Sequence, residues 1–178
     1  MMGEGEDVNS IFHEIYDQYH QDLFQFIFYM VKNREETEDL VQEVYIRVMK
    51  SAHTFENKSS KKTWLFAIAK NVTIDHFRKQ RNWKERIHAM FDWDRYELKD
   101  EGRLPEEKLL VSEEVKHLYM SLDQCTTNQR LVLIMRYIND LTIAETAEAL
   151  KWSESKVKTT QHRAVQKLKE IMQEQEVE

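Results

Sequence analysis

The chain has 178 residues, of which 41% are hydrophobic and 33% are charged. This composition is typical of a soluble protein that buries one moderate core or two small ones. With only three glycines and one proline, long helices are favoured over a turn-rich sheet. No apolar run approaches the length of a membrane span, and the acidic N-terminus is unlike a secretion signal. We therefore expect an all-α protein that stays in the cytoplasm.

The single cysteine, Cys125, excludes an internal disulfide and a cysteine-based metal cluster. The seven histidines do not fall into a ligand spacing such as H-E-x-x-H. We expect Cys125 to be a small buried apolar residue, with a reactive thiol as the alternative. No metal and no cofactor are predicted.

Charge is strongly polarised along the chain, although the formal net charge is -6. The segment from Lys61 to Arg86 is basic, the segment from Asp92 to Glu114 is acidic, and the segment from Lys151 to Lys169 is basic again. Two basic zones separated by an acidic connector favour two DNA contacts and a different partner between them. The alternative is a set of ordinary solvated helix faces.

The N-terminal half contains three apolar series with helical spacing, over residues 12–30, 40–49 and 63–77. These series predict three packed helices in a first domain, residues 8–82. Periodicity is lost from Trp83, and we predict a flexible acidic linker over residues 83–106. Pro105 suits the first turn of a new helix, so a second small domain is expected over residues 107–174.

Two capping-box patterns lie in the second domain, Thr126 with Gln129 and Thr142 with Glu145. After the second pattern comes a short helix, a connection at Lys151, and a longer helix that Ser153 can cap. This pattern predicts a helix-turn-helix, whose second helix would enter a DNA major groove. Its exposed donors are predicted to be Ser155, Lys156, Lys158, Thr159, Gln161, His162 and Arg163.

An amphipathic helical hairpin with a basic outer face is the alternative to a DNA-binding motif. Lys151 stands where such units commonly place glycine, so this lysine must adopt a left-handed conformation or the turn must differ.

Several segments resemble the conserved regions of extracytoplasmic-function (ECF) RNA polymerase sigma factors, in the sigma-70 family. The resemblance covers nearly all of residues 10–172. It is carried by DLVQEVYIRV at 39–48, TWLFAIAKN at 63–71, Asp75, Leu122–Asp123, Gln129–Arg130 and Val157–Lys158–Thr159. The phrases DLFQF, QEVYIRV, LDQCT and SESKVKTTQHR are most similar to the sigma-X type.

The resemblance implies that the first domain is sigma region 2, which binds the clamp helices of the RNA polymerase beta-prime subunit. The matching polymerase-binding residues are Asp39, Leu40, Gln42, Glu43 and Ile46. For Leu40 and Ile46, a place in the core is the alternative.

Region 2 of the family also opens the minus-ten promoter element and captures a flipped base. The matching DNA-binding residues are Phe55, Ser59, Ser60, Lys61, Lys62, Thr63, Lys70, Asn71, Arg78 and Lys79. A pocket with polar groups and nearby cations suits an extruded base on a single strand. Trp64 is interpreted as an anchor of this loop, with a stacking platform as the alternative.

The second domain resembles sigma region 4, which reads the minus-thirty-five element. The matching residues are Arg136, Ser155, Lys156, Lys158, Thr159, His162 and Arg163. Lys158 and His162 replace the arginine or aromatic residues common in relatives, and lysine is not an equivalent bidentate donor. The acidic linker resembles the segment that threads through the polymerase toward the RNA exit path.

The function implied is that of an alternative sigma factor and not of an enzyme. Its partners would be core RNA polymerase, through the beta-prime clamp helices and the beta subunit, and promoter DNA in double- and single-stranded form. No small-molecule substrate is expected. The resemblance also implies a cell-envelope stress response and an anti-sigma factor, which is often anchored at the inner face of the membrane.

Two other functions stay open on the residues. One is a one-component DNA-binding regulator whose N-terminal helices bind a ligand or dimerise; the other is a purely structural helical adaptor.

Overall fold

The computed structural model describes residues 4–90 and 113–177, which form helices joined by short loops and contain no strand. The helices are α1 (Glu4–Val31), α2 (Arg34–Ser51), α3 (Lys61–Met90), α4 (Glu113–Ser121), α5 (Thr127–Leu133), α6 (Ile143–Leu150) and α7 (Glu154–Glu176). The predicted all-α class is confirmed. The linker predicted over 83–106 and the helix start at Pro105 fall partly or wholly outside the described residues. None of the described helices combines the length and the apolar content that crossing a membrane requires.

Helices α1, α2 and α3 pack against one another and form the N-terminal unit. Their apolar series meet in a core where Ile15, Leu23 and Phe26 are fully buried. Phe26 of α1 meets Phe66 of α3 edge to face, with ring centroids 5.4 Å apart. Asn33 caps α2 by accepting a hydrogen bond from the Glu36 amide at 3.0 Å. The three-helix prediction for this half of the chain therefore agrees with the structure.

Helix α3 continues past Trp83 to Met90, whereas the sequence predicted that a linker begins at Trp83. The side chains of residues 81–86 are all exposed, so this part of the helix has no buried stripe to give an apolar period. Arginine, lysine and glutamate are good helix formers without burial. The loss of periodicity therefore marked the end of packing and not the end of the helix.

Helices α4 to α7 form the C-terminal unit, and both predicted capping boxes are present. Thr126 and Gln129 cap α5 reciprocally at 3.2 and 3.0 Å. Thr142 and Glu145 do the same for α6 at 3.1 and 2.7 Å. Between these helices, Ile134–Ile138 winds as a π-helical turn that ends at the buried Asn139.

The two units share one contiguous apolar core. Helix α6 packs on α3, and α1 contacts the π-helical turn. Three buried side chains of α6, Thr146, Ala147 and Ala149, are small, and small side chains permit close approach of helices. The described residues therefore place the helix-turn-helix directly beside α3.

For the turn between α6 and α7, the sequence left open a left-handed Lys151 or a different kind of turn, and the structure has the left-handed lysine. Lys151 is left-handed, with φ 56° and ψ 43°, and it ends α6 as a glycine would. Its amide donates to the Glu148 carbonyl at 3.2 Å, and the Trp152 amide donates to the Ala147 carbonyl at 2.9 Å.

We expect Lys151→Gly to raise the free energy of unfolding by about 0.5–1 kcal/mol. A left-handed non-glycine residue costs roughly 1–2 kcal/mol, which glycine's greater chain entropy offsets in part. Lys151→Ala removes the same charge but keeps the Cβ, so it serves as the matched control and should give no comparable gain. Urea unfolding of the full chain measures both variants. Equal gains in the two variants would assign the effect to charge and refute the backbone explanation.

Candidate nucleic-acid interface

Helix α7 presents a polar face and buries the opposite one. Val157 and Ala164 are fully buried, which fixes the rotation of the helix about its axis. Ser153 caps the helix by accepting from the Lys156 amide at 3.1 Å. The side chains exposed on α7 include those of Ser155, Lys156, Lys158, Thr159, His162 and Arg163. Six of the seven residues proposed for duplex DNA therefore share one solvent-facing surface, which we call the α7 surface.

The seventh residue, Arg136, lies behind that surface and is half-buried. Its Nε donates to Gln161 Oε1 at 2.9 Å, and a terminal nitrogen donates to the Leu141 carbonyl. Arg136 thereby ties α7 to the start of the helix-turn-helix. Gln161, which the sequence placed among the exposed donors, is half-buried and engaged in this contact.

A polar cleft extends the α7 surface toward α5, and the sequence did not reveal it. Its α5 side consists of Thr126, Asn128 and Gln129. Its α7 side includes Lys156 and Arg163. Because α5 and α7 are far apart in the chain, only the packing of α5 on α7 brings these groups together.

Lys156 is the one member of the α7 surface with a described aromatic partner. Its ammonium lies 4.1 Å from the centre of the Trp152 ring. This contact orients the lysine at the start of α7, next to the left-handed turn.

A second cationic face runs along α3. Asn71 and Arg78 are both exposed and lie seven residues apart, which places them on the same side of a helix. Arg78 is 3.9 Å from Asp75, while Lys79 is exposed farther around the helix. We call the exposed residues Asn71, Arg78 and Lys79 the α3 surface.

The loop before α3 is built on aromatic packing and a side-chain cap. Phe55 and Trp64 are half-buried with ring centroids 4.9 Å apart, which agrees with Trp64 as an anchor of the loop. The Ser60 hydroxyl accepts from the Thr63 amide at 3.1 Å and donates to Thr63 Oγ1 at 2.9 Å. Thr63 is buried, so its side chain serves the helix start, while Ser59 is half-buried.

Two lysines predicted to meet DNA are already engaged in contacts, and a third is half-buried. Lys61 pairs with Glu14 of α1, and Lys62 donates to the Asn139 carbonyl at 2.6 Å. Lys70 is half-buried. Burial, followed by the positive charge of Lys151, lowers the pKa of its ammonium. The sequence could not show these contacts, since each joins residues that are distant along the chain.

The outer face of α2 forms a third candidate surface. Asp39, Gln42 and Ile46 are exposed, and Ile46 retains 48% of its accessible surface. The core alternative therefore does not describe Ile46. Leu40 faces another way, is half-buried and packs against the core, as the alternative for that residue stated.

Glu43 completes this face but is tied to the N-terminal unit. Arg47 donates to Glu43 Oε1 at 3.0 Å and to Asp75 Oδ2 of α3 at 3.3 Å. The sequence assigned Met49 to the core series, yet Met49 is 45% exposed beside Ile46. Its spacing of three from Ile46 and seven from Gln42 is the signal that could have placed it here.

Cys125 is buried, and burial raises the pKa of its thiol, which disfavours the reactive thiolate. No group of three or more histidine, cysteine, aspartate or glutamate side chains in residues 4–90 and 113–177 is arranged to hold a metal ion. These surfaces can contact charged and apolar partners.

Two family models match the chain: Sigma-70 region 2 over residues 15–82 and Sigma-70 region 4 over residues 121–170. The chain is 55% identical over 166 residues to ECF RNA polymerase sigma factor SigX of Bacillus subtilis (strain 168), covering 93% of this chain and 86% of SigX. It is 30% identical to RNA polymerase sigma factor YlaC of the same organism, covering 89% of this chain and 90% of YlaC.

Among solved structures, the fold is similar to that in the co-crystal structure of the sigma factor RpoE with the anti-sigma factor NepR from Bartonella quintana. The TM-score is 0.73 at 20% identity, with 91% of this chain and 96% of that chain covered.

We expect Arg136→Ala to lower the free energy of unfolding by about 1–3 kcal/mol, since Gln161 Oε1 and the Leu141 carbonyl both lose the donor that Arg136 supplies. Arg163→Ala is the matched control, because Arg163 is exposed and should change stability by less than about 0.5 kcal/mol. Urea unfolding of both variants measures the change in the free energy of unfolding. A small effect of Arg136→Ala, equal to that of Arg163→Ala, would show that the contact with Gln161 does not hold the helix-turn-helix together.

Proposed function

We propose that the α3 and α7 surfaces bind different parts of a promoter. The premise is that the chain belongs to the ECF sigma factors of the sigma-70 family. It is an alternative sigma factor that directs core RNA polymerase to promoters. The observation that carries the proposal is the presence of one exposed cationic surface in each matched region, on α3 in region 2 and on α7 in region 4.

The α7 surface is proposed to read the minus-thirty-five element as duplex DNA. Its exposed donors reach phosphates and base edges when α7 lies in the major groove. The contacting set is Ser155, Lys156, Lys158, Thr159, His162 and Arg163, with Arg136 acting through Gln161 as a positioning residue. Phosphate contacts from this set supply affinity, and base-edge contacts supply sequence preference.

The α3 surface and the preceding loop are proposed to capture the unpaired minus-ten strand. Asn71 offers an amide that can both donate to and accept from an extruded base. The supporting set is Phe55, Ser59, Ser60, Lys61, Lys62, Thr63, Lys70, Arg78 and Lys79. Within it, Ser60 and Thr63 shape the start of α3, while the cations attract the strand.

The α2 face is proposed to bind the beta-prime clamp helices, while region 4 engages the beta subunit. Asp39, Gln42, Glu43 and Ile46 form the contact, with Leu40 supporting it from the core side and Met49 added by its exposure. An exposed isoleucine and methionine beside carboxylates and an amide suit a partly apolar protein interface with a polar rim.

The remaining elements of the proposal follow from family membership. The polymerase supplies catalysis, and this chain supplies none. The protein acts in the cytoplasm in response to cell-envelope stress. An anti-sigma factor is proposed to restrain it, and a solved sigma factor of the same fold is bound to one. The boundaries 8–82, 83–106 and 107–174 remain the proposed limits of region 2, linker and region 4.

A one-component regulator is not favoured, since the region 2 match covers the N-terminal unit where such a regulator would carry a ligand-binding or dimerising domain. The deciding experiment is run-off transcription with core RNA polymerase of Bacillus subtilis. The template pool carries randomised minus-ten and minus-thirty-five segments, and the RNA products are sequenced.

We expect transcripts from a narrow subset of templates when the protein is present. Core polymerase alone should give no transcripts from those templates. Tight binding to a palindromic duplex without polymerase, together with no selected transcripts, would replace the sigma factor assignment by the regulator.

We expect Asn71→Ala to impair promoter opening at least about tenfold, while leaving core-polymerase binding and duplex binding intact, because only the captured strand meets this exposed amide. Permanganate reactivity of unpaired thymines on a selected template measures opening. Arg163→Ala is the comparison variant and should weaken duplex binding instead, by about 1–3 kcal/mol if it reads a base. Loss of core-polymerase binding in Asn71→Ala would give Asn71 a structural role and remove it from the site.

A further inference from the structure

The last turns of α3 extend beyond the part of the helix that is packed. Glu36 of α2 accepts from the Gln80 side chain at 3.4 Å and lies 3.2 Å from Nε2 of His76, and these contacts fix the rotation of α3 against α2. Past Gln80, the side chains of residues 81–86 are all exposed. The helix nevertheless runs on to Met90. Residues 81–86 therefore add no side chain to the core of the described structure.

This exposed length of helix is strongly basic. Residues 78–86 carry five cations, Arg78, Lys79, Arg81, Lys84 and Arg86, against the single acid Glu85. Like charges close together on a helix surface repel one another, so helix stability does not favour this composition. The helix dipole favours cations in the last turn, yet all five cations precede the last turn of α3. The charge therefore indicates an anionic partner.

The exposed length continues the α3 surface along one side of the helix. Arg78, Asn82 and Arg86 follow one another at intervals of four residues, and Asn71 lies seven residues before Arg78. This spacing keeps all four on the same side of α3. Trp83 lies beside the row, three residues before Arg86. We call Asn82, Trp83 and Arg86 the α3 extension.

Trp83 differs from the other described tryptophans in its exposure. Trp64 and Trp152 are half-buried against the core, whereas Trp83 keeps 64% of its surface exposed. An indole offers a flat apolar face to a deoxyribose and an N–H that can donate to a phosphate oxygen. With the amide of Asn82 and the guanidinium of Arg86, the α3 extension presents donors that suit a sugar–phosphate backbone.

Position along α3 decides which part of the DNA the α3 extension meets. The loop before α3 and Asn71, which are proposed to capture the unpaired minus-ten strand, belong to the first half of the helix. Arg86 lies about 22 Å beyond Asn71 along the helix axis. Region 4 follows α3 in the chain, and its proposed target, the minus-thirty-five element, lies upstream. We therefore place the end of α3 on the upstream side of the captured strand, where the promoter is still duplex.

We propose that the α3 extension binds the backbone of the spacer, the duplex between the two promoter elements, at the end that borders the minus-ten element. The distance from Arg78 to Arg86 is about 12 Å along the helix, which corresponds to about four base pairs of duplex. This inference rests on the proposed function and adds to it a contact that does not depend on base sequence. Trp83 and Arg86 lie beyond the region 2 match, which ends at residue 82.

The test combines a charge removed from the protein with charges removed from the DNA. The holoenzyme formed with core RNA polymerase of Bacillus subtilis binds a fluorescent template selected by run-off transcription, and anisotropy measures the affinity between about 50 and 200 mM salt. A second template carries uncharged methylphosphonates at about four spacer positions next to the minus-ten element. Arg86→Gln is compared with Lys84→Gln, the matched control, because Lys84 is also exposed but lies on the opposite side of α3.

We expect Arg86→Gln to weaken binding to the unmodified template at least about threefold at 50 mM salt and to reduce the salt slope by about one, because one phosphate contact is lost. Trp83→Ala should weaken binding without changing the salt slope, since the indole is uncharged. Lys84→Gln should change neither quantity. On the methylphosphonate template, Arg86→Gln should bind as well as the parent. Thermal melting by circular dichroism confirms that each variant is folded.

Equal affinities of Arg86→Gln and Lys84→Gln for the unmodified template would overturn the inference, and this is the result expected if the cations bind an acidic protein instead of DNA. A loss in Arg86→Gln that persists in full on the methylphosphonate template would also overturn it, because the arginine would then act away from the spacer. In both cases the parent holoenzyme still binds its template, so the proposed function stands. Failure of the protein to direct core polymerase to any template would overturn the proposed function and this inference together.

Discussion

Like charges on neighbouring helices constrain this fold, since the positive charges of Lys151 and Lys156 act on Lys70 of α3. The proposed DNA contacts need cations on both α3 and the helix-turn-helix, and α6 packs directly on α3. Each lysine near that contact meets a different local environment. Lys61 pairs with Glu14, Lys62 donates to a backbone carbonyl, and Lys70 stays half-buried with a lowered pKa. Arg78 and Lys79, farther along α3, stay exposed.

Part of the acidic excess of the chain lies in ion pairs with cations that the fold brings together. Acidic side chains lie beside the cations that the fold brings together: Asp75 beside Arg47, and Asp123 beside Lys32. Exposed pairs of this kind add little to stability, since water screens them. Other cations, such as Lys79 of α3 and Arg163 of α7, stay exposed for the proposed DNA contacts. A chain with net charge -6 can therefore present two cationic surfaces.

Local patterns in the sequence predicted the helices well, because caps and apolar periods act over one or two turns. Thr126, Thr142 and Ser153 all cap the helices they were expected to cap. The continuation of α3 beyond Trp83 was not predictable from periodicity, since an exposed helix has no buried stripe. The placement of Arg136 behind α7, the polar cleft beside α5 and the contact between Lys62 and Asn139 depend on long-range packing. A residue list from family resemblance names such side chains but does not show which of them face solvent.

The proposed separation of duplex reading from strand capture does not require tight binding at either surface. A single tight site would retain the protein on DNA without polymerase, whereas two weak sites acquire strength only when a scaffold holds them at the promoter spacing. In the structure the two units share one apolar core, while the α3 and α7 surfaces both stay exposed. The packing that engages Lys62 also leaves Asp39, Gln42 and Ile46 of α2 exposed, so the proposed polymerase contact and the proposed DNA contacts use different helices.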